Sequence, residues 1–197
     1  MRTLILSFML CLSATLTFAT ENKMTAPSSD SSNKVKLTTS LGTIIVQLNA
    51  EKAPVSSANF LTYVNEGFYN GTIFHRVIKG FMAQGGGFDA TFKQKEVHAA
   101  IKNEADNGLK NNRGTLAMAR TNDPNSATAQ FFINLKDNAF LDHTSPTPSG
   151  WGYAVFGEVI EGMDVVDAMA TQPTGNKGGH QDVPNTDIVI EKAEVVK

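Results

Sequence analysis

The chain has 197 residues, 41% of them hydrophobic and 18% charged, and its formal net charge is -2. This composition is typical of a soluble globular protein with enough apolar material for a core that needs no metal or disulfide staple. The near-neutral charge argues against nucleic acid or an anionic membrane as a partner.

Residues 1–19 have the pattern of a secretory signal peptide. Arg2 supplies a positive start, residues 4–16 form an apolar run, and Thr17 and Ala19 are small residues at the expected cleavage site. An uncleaved membrane anchor would require a longer apolar span of roughly 20 residues. We therefore predict export, with the periplasm as the favoured destination and the extracellular space as the alternative, and no membrane contact after cleavage.

Residues 20–33 are polar and rich in serine, which predicts a flexible segment with no assigned role. The remaining residues, 34–197, form the predicted domain. It opens with alternating apolar positions on either side of a turn at residues 40–42, the pattern of a β-hairpin. Pro54 suits the first turn of a helix that ends near Gly67, and a second helix follows Gly162.

Short β-like runs occupy most of the rest of the domain. They lie at residues 73–78, 115–119, 130–135, 153–159 and 187–196. In the last run the apolar alternation changes phase between Ile190 and Ala193, which indicates a bulge. Residues 142–152 and 171–186 are rich in turn formers and predict surface loops. Many short strands without a βαβ rhythm favour a mostly antiparallel closed sheet.

The sequence after residue 19 lacks the motifs of metal, cofactor or nucleophile chemistry. Its four histidines show no metal-ligand spacing, and it contains neither a phosphate-binding loop nor a dinucleotide fingerprint. Cys11, the only cysteine, lies in the predicted signal peptide, so no thiol nucleophile remains after cleavage. A Ser/His/Asp triad has no local pattern to support it. We expect no metal and no cofactor.

Two blocks of sequence are the most informative. Residues 74–87 read FHRVIKGFMAQGGG, in which Arg76 interrupts an apolar strand and three glycines allow a close backbone approach. Residues 127–134 read ATAQFFIN and again place an amide beside aromatic side chains. At this separation the two blocks resemble the signatures of the cyclophilins.

The resemblance extends from about Lys34 to the C-terminus. Residues 103–104, 114–120 and 153–157 are similar to the bacterial exported branch of the cyclophilins. The resemblance implies a mostly β fold, a closed eight-stranded antiparallel β-barrel capped by two α-helices. It also implies peptidyl-prolyl cis-trans isomerase activity, which needs no cofactor.

The chemistry of that reaction gives Arg76 a role. The X-Pro bond prefers trans by only ~0.5–1 kcal/mol, but rotation costs ~18–20 kcal/mol because amide resonance is lost. A fixed cation that donates a hydrogen bond to the prolyl nitrogen stabilises the twisted state more than either planar state. Arg76 matches the catalytic arginine of the family. Without the surrounding motif, a structural arginine paired with a carboxylate would be the more common interpretation.

The resemblance implies the other site residues as well. Gln84 matches the catalytic amide that holds the substrate carbonyl. The proline pocket and its rim match Phe81, Met82, Phe132, Leu141, Phe140 and Tyr153, and the groove for the preceding residues matches Ala119, Arg120, Thr121 and Gln130. Taken singly, the apolar members would be ordinary core residues and Gln84 an amide satisfied inside the barrel. We expect His75 to be partly buried, satisfied and outside the reaction.

The expected partners are proline-containing polypeptides, namely unfolded or folding exported proteins, and the expected state is a monomer. Phe140 stands where many eukaryotic relatives carry tryptophan, and phenylalanine has no N–H to donate. We therefore predict weak cyclosporin binding with isomerase activity kept. The rival hypothesis is a proline-peptide-binding chaperone module with incidental turnover. Arg76 favours the enzyme, since holding a peptide does not need it.

Overall fold

The computed structural model describes residues 33–196. The predicted signal peptide, residues 1–19, and the predicted flexible segment, apart from its last residue, lie outside the described residues. None of the helices within 33–196 has both the length and the apolar character that a membrane crossing requires.

Residues 33–196 form eleven strands and two α-helices. The strands are β1 Lys34–Thr39, β2 Gly42–Leu48, β3 Thr72–Ile73, β4 Arg76–Ile78, β5 Met82–Gly85, β6 Thr115–Met118, β7 Phe131–Asn134, β8 Val155–Glu161, β9 Thr174–Lys177, β10 His180–Pro184 and β11 Val189–Val195. The helices are α1 Pro54–Asn65 and α2 Met163–Met169. Nine strands form one antiparallel sheet in the order β3-β11-β1-β2-β8-β6-β7-β5-β4, and β9 pairs with β10 in a separate hairpin.

The predicted N-terminal hairpin is confirmed. Strands β1 and β2 pair in full register from Lys34 opposite Gln47 to Thr39 opposite Gly42. The predicted inward positions of both strands are buried, and the positions that alternate with them are less so. The bulge predicted in the last strand is also present: Thr38 pairs with Lys192 but Thr39 pairs with Ile190.

Both predicted helices are present. Helix α1 begins at Pro54 and has no local side-chain cap. Its free backbone N–H groups are satisfied from a distant loop, because the Glu104 carboxylate accepts hydrogen bonds from the N–H groups of Val55 and Ser56 at 2.9 and 2.8 Å. A carboxylate at this end also suits the positive end of the helix dipole. The main core lies between the helices and the inner face of the sheet.

The strand count differs from the prediction. The sheet has nine strands rather than eight, because Phe74 and His75 divide the predicted run at 73–78 into β3 and β4. These two strands lie at opposite ends of the strand order, and no ladder joins them within residues 33–196. The prediction is therefore confirmed as a mostly β, antiparallel fold with two helices, whereas closure of the sheet into an eight-stranded barrel is not confirmed.

The prediction of a surface loop at residues 171–186 is wrong. Strands β9 and β10 form a hairpin there, and the turn contains Gly178 and Gly179, both with positive φ. The strands carry polar side chains on both faces, so the sequence offers no apolar alternation. Residues 142–152 form a loop, as predicted. A 3₁₀ turn at Ala139–Leu141 precedes it.

Candidate active site

A row of side chains crosses the outer face of the sheet from β4 to β8. Arg76 lies opposite Gln84, Gln84 opposite Phe132, Phe132 opposite Ala117, and Ala117 opposite Val155. Successive side chains in a strand point to opposite faces. The strand neighbours of this row belong to the main core instead: Val77, Ala83, Leu116, Phe131 and Ile133. The sheet therefore has two apolar faces: the inner face packs in the main core, and the outer face carries the row that contains Arg76.

The outer face carries its own apolar cluster. Its buried members are Met82, Ala117, Phe132, Leu141 and Val155, and partly buried side chains that include Phe81, Ala119 and Tyr153 pack against them. The Phe132 and Tyr153 rings meet edge to face, with 5.6 Å between their centroids. This cluster is a second, smaller core on the outer face, so packing against the main core does not account for these residues.

A cavity of about 150 Å³ opens in this cluster. Nine of the twelve residues predicted for the site line it: Arg76, Phe81, Met82, Gln84, Ala119, Arg120, Phe132, Leu141 and Tyr153. A space on the order of 150 Å³ is large enough for a benzene-sized ring. The cavity therefore has room for a single ring such as pyrrolidine, with a guanidinium and an amide at its edge.

The other three predicted residues, Thr121, Gln130 and Phe140, do not line the cavity. Gln130 is connected to the cavity only indirectly, because the cavity-lining Gln84 donates a hydrogen bond from its Nε2 to Gln130 Oε1 at 2.9 Å. Phe140 is 71% exposed and stacks on Phe81, with 5.6 Å between the ring centroids. It extends the apolar surface beyond the cavity. Thr121 is exposed and bonds to Ser126.

Arg76 remains half exposed at the edge of the cavity. Its Nε lies 3.6 Å from Oδ2 of Asp182. Its guanidinium donates no hydrogen bond to any residue in the described part of the chain, so its donors are open to a ligand. Asp182 was missed by sequence reasoning, because it belongs to the unpredicted hairpin and no motif marks it.

Arg120 is held much more firmly than Arg76. Its Nε donates to the Gly152 carbonyl at 3.0 Å, one terminal nitrogen donates to the Thr121 carbonyl at 2.8 Å, and the guanidinium lies 4.6 Å from the centre of the Tyr153 ring. These contacts tie the rim of the cavity to the loop at residues 142–152. Within residues 33–196 no carboxylate forms an ion pair with Arg120.

The glycines of residues 85–87 allow close packing behind the site. Gly86 has φ of 80°, and a Cβ there would lie 2.8 Å from the Tyr69 ring. A Cβ on Gly87 would lie 2.5 Å from Cγ of Gln130. The close approach predicted from the three glycines is therefore made to core aromatic rings and to the Gln130 side chain.

Two parts of the prediction for His75 are wrong, namely that the side chain is partly buried and that its polar atoms are satisfied. The side chain is buried, and its Nδ1 has no hydrogen-bond partner among residues 33–196. Part of the cover comes from the unpredicted hairpin, whose His180 ring lies 6.0 Å from the His75 ring, and part comes from the Phe88 ring at 4.7 Å. Burial, assisted by the charge of His180, lowers the pKa of His75 to about 4. At neutral pH the imidazole is uncharged.

Comparison with known proteins gives this arrangement a family. A family model described as cyclophilin type peptidyl-prolyl cis-trans isomerase/CLD matches residues 34–195. The chain belongs to the cyclophilin-type peptidyl-prolyl cis-trans isomerases. The matched range covers every strand and helix of the fold and all twelve predicted site residues.

Relatives with similar sequences and a solved structure with a similar fold support this assignment. A peptidyl-prolyl cis-trans isomerase of Streptomyces antibioticus is 62% identical over 162 residues, which cover 82% of this chain and 98% of that protein. Peptidyl-prolyl cis-trans isomerase B of Escherichia coli is 59% identical over 157 residues, 80% of this chain and 96% of that protein. A cyclophilin-type isomerase of Cryptosporidium parvum, crystallised in the presence of the dipeptide Ala-Pro, superposes with a TM-score of 0.67 at 28% identity, covering 83% and 98% of the two chains.

Proposed function

We propose that this chain accelerates cis–trans isomerisation of X-Pro bonds in exported proteins and that Arg76 assists the rotation. The observation that carries the proposal is the position of Arg76. It lies at the edge of a ring-sized cavity lined by apolar and polar side chains, in one cross-strand row with Gln84 and Phe132. Membership of an isomerase family and the crystal structure of the Cryptosporidium parvum relative in the presence of the dipeptide Ala-Pro support the same substrate class.

The barrier to the reaction explains what such a site has to do. Rotation about the peptide bond removes the amide resonance, and the barrier of ~18–20 kcal/mol is this loss. In the twisted state the prolyl nitrogen has a localised lone pair. A hydrogen-bond donor that meets this lone pair interacts with the twisted state more strongly than with either planar state, and only such a difference accelerates the step.

Arg76 has the properties of that donor. Its guanidinium is planar and permanently charged, and its donors are free for a ligand. With the pyrrolidine ring held against Met82, Phe132 and Leu141, the prolyl nitrogen lies at the mouth of the cavity. The Gln84 amide, already oriented by Gln130, is the neighbour available to the substrate carbonyl. No proton or covalent bond has to be transferred.

The residues before proline are assigned to the rim that continues from the cavity. Ala119 and Arg120 line the cavity on that side, and Thr121 and Gln130 lie beside them. The fixed guanidinium of Arg120 puts a positive charge at this rim. We propose that these residues bind the segment N-terminal to proline through its backbone and one or two side chains.

The exported role rests on the sequence of residues 1–19, which has the features of a cleaved signal peptide. Slow proline isomerisation limits the folding of many chains, so a catalyst in the periplasm has substrates there. Mass spectrometry of the protein from its native host tests this part. A mature N-terminus at Thr20 supports export, and retention of residues 1–19 contradicts it.

The second candidate is a chaperone module that holds proline-containing segments and turns them over incidentally. The exposed Phe140, stacked on Phe81, favours some peptide holding, because it extends the apolar surface beyond the cavity. Holding a peptide does not require a cation whose donors are free at the cavity edge. The two functions therefore differ in what they predict for Arg76.

The deciding experiment measures the exchange rate of an Ala-Pro peptide by NMR exchange spectroscopy at equilibrium, together with its binding affinity. We expect Arg76→Ala to lower kcat/KM by on the order of 100-fold, the cost of removing one positioned transition-state donor, while peptide affinity changes little. Lys79→Ala removes a nearby exposed positive charge outside the cavity and serves as the matched control. An unchanged rate in Arg76→Ala would overturn the arginine-assisted mechanism.

A further inference from the structure

The hairpin β9–β10 contains an irregularity beside the candidate active site. His180 pairs with Lys177, but the next pair joins Val183 to Gly175, so the register shifts between His180 and Val183. Asp182 lies in this shift and has φ of 60°. The left-handed region is uncommon for residues other than glycine, although aspartate tolerates it better than most. Bulges of this kind often redirect a side chain next to an active site.

The redirected side chain is the carboxylate that meets Arg76. Oδ2 of Asp182 lies 3.6 Å from Nε of Arg76, with both side chains about two-fifths exposed. Within residues 33–196 no other carboxylate forms an ion pair with this guanidinium. A pair this exposed contributes little to folding stability. Because the pair lies next to the cavity, it can instead affect the position of the Arg76 guanidinium.

The hairpin is a firm base for such a contact. Lys177 on β9 binds both carboxylate oxygens of Asp187, at 2.9 and 3.2 Å. The His180 ring packs against Phe88 and Phe92, with ring centroids 5.1 and 5.6 Å apart. These contacts of Lys177 and His180 link the hairpin to neighbouring segments of the chain.

We propose that Asp182 is a positioning residue for Arg76. Its carboxylate attracts the guanidinium from the Nε side at ion-pair distance, which leaves the two terminal nitrogens to meet the prolyl nitrogen. A long arginine side chain loses much rotational freedom when it is fixed, and a contact that fixes it before the substrate arrives removes that cost from the reaction step. This inference rests on the proposed role of Arg76 in isomerisation.

Three substitutions test the contact. Asp182→Asn keeps the size of the side chain and its tolerance of positive φ but removes the charge, Asp182→Ala removes the side chain, and Asp182→Gly removes the side chain together with the backbone strain. We expect each to lower kcat roughly 5-fold, the effect that one exposed ion pair can carry, with KM nearly unchanged. Asp187→Asn is the matched control, because it removes a carboxylate that anchors the same hairpin without contacting Arg76.

A spectroscopic readout separates positioning from mere folding. The ¹⁵N Nε–H resonance of Arg76, assigned by its loss in Arg76→Ala, is expected to shift and broaden in Asp182→Asn and to remain in place in Asp187→Asn. In an Arg76→Ala background, Asp182→Asn is expected to have no further effect on the rate. Additive losses, or an unchanged Arg76 resonance, would show that Asp182 does not act through Arg76.

The outcomes for the two proposals differ. If Arg76→Ala abolishes activity while Asp182→Asn turns over like the wild type, the positioning role is wrong and the isomerase mechanism stands. If Arg76→Ala keeps full activity, the mechanism fails, and the positioning role fails with it for lack of a catalytic group to position. A rate loss shared equally by Asp182→Asn and Asp187→Asn would assign the effect to hairpin stability and overturn the proposal.

Discussion

The side chains of Gln84 and Gln130 are joined by a hydrogen bond of 2.9 Å from Nε2 of Gln84 to Oε1 of Gln130. The bond links β5 to the segment before β7 and orients the Gln84 amide at the edge of the cavity. Gly87 packs directly against the Gln130 side chain, at a distance that leaves no room for a Cβ. Two independent substitutions can therefore disturb the same bond.

We predict that Gln130→Ala and Gly87→Ala both lower kcat/KM for an Ala-Pro peptide about 5-fold, in line with the net worth of one hydrogen bond. Gln130→Ala removes the acceptor, and Gly87→Ala displaces it. Gln94→Ala, which truncates an exposed glutamine outside the cavity, controls for the loss of an amide. Wild-type rates in both variants would mean that the orientation of Gln84 does not matter.

Arg120 gives the rim a positive charge that no carboxylate within residues 33–196 pairs with. We predict that peptides with glutamate before proline are turned over about 2- to 5-fold faster than those with lysine, the range that an exposed charge pair carries. The ratio is expected to fall towards one in Arg120→Ala and at high salt. Arg113→Ala removes an arginine that is paired with Asp167 and leaves the ratio unchanged. Equal rates in the wild type would contradict the prediction.

Phe140 offers a ring but no hydrogen-bond donor at the outer edge of the site. We predict that the wild-type protein binds cyclosporin weakly, with a Kd above the submicromolar range, and that Phe140→Trp tightens binding about 5- to 10-fold through one added N–H donor. Isothermal titration calorimetry measures both. Phe140→Leu separates size from donor capacity, because it changes the ring and adds no donor. Tighter binding in Phe140→Leu would contradict this explanation.

His75 makes folding stability depend on pH. Burial lowers its pKa from 6.5 to about 4. Between these two pH values the unfolded state therefore binds a proton that the folded state does not. The folding stability associated with neutral His75 is fully present above pH 6.5 and is lost as the pH falls through 4. The total loss at low pH amounts to roughly 3 kcal/mol.

Urea denaturation of the wild type and of His75→Leu at pH 7 and pH 4 measures this dependence. We expect the difference in unfolding free energy between the two proteins to shift in favour of His75→Leu at low pH. His98→Gln, at an exposed histidine, controls for the loss of an imidazole. A constant difference between wild type and His75→Leu across this range would contradict the buried, neutral state of His75.

Much of the site could be predicted because its residues lie in two compact blocks. Arg76, Phe81, Met82 and Gln84 fall within 74–87, and Phe132 lies in 127–134, so their order alone carries the resemblance. The bulge before Ala193 was equally visible, because a bulge changes the phase of an alternating strand.

The features that could not be predicted share a physical cause. Hairpin β9–β10 has polar side chains on both faces and is supported by contacts with Phe88, Phe92 and β4, so it leaves no periodic signal in its own sequence. The contact of Asp182 with Arg76 and the complete burial of His75 both depend on that hairpin. The apolar periodicity of a segment does not reveal an element that is stabilised mainly by contacts with distant parts of the chain.

The separation of the two apolar clusters by a single sheet has a consequence for how such a protein can diversify. Replacing Ala119, Phe140 or Tyr153 alters a surface that we propose meets the ligand, while the side chains of the main core lie behind the backbone and keep their neighbours. Ligand preference can therefore drift over many substitutions with the scaffold intact. Directed libraries confined to the outward-facing positions should yield a high fraction of folded variants.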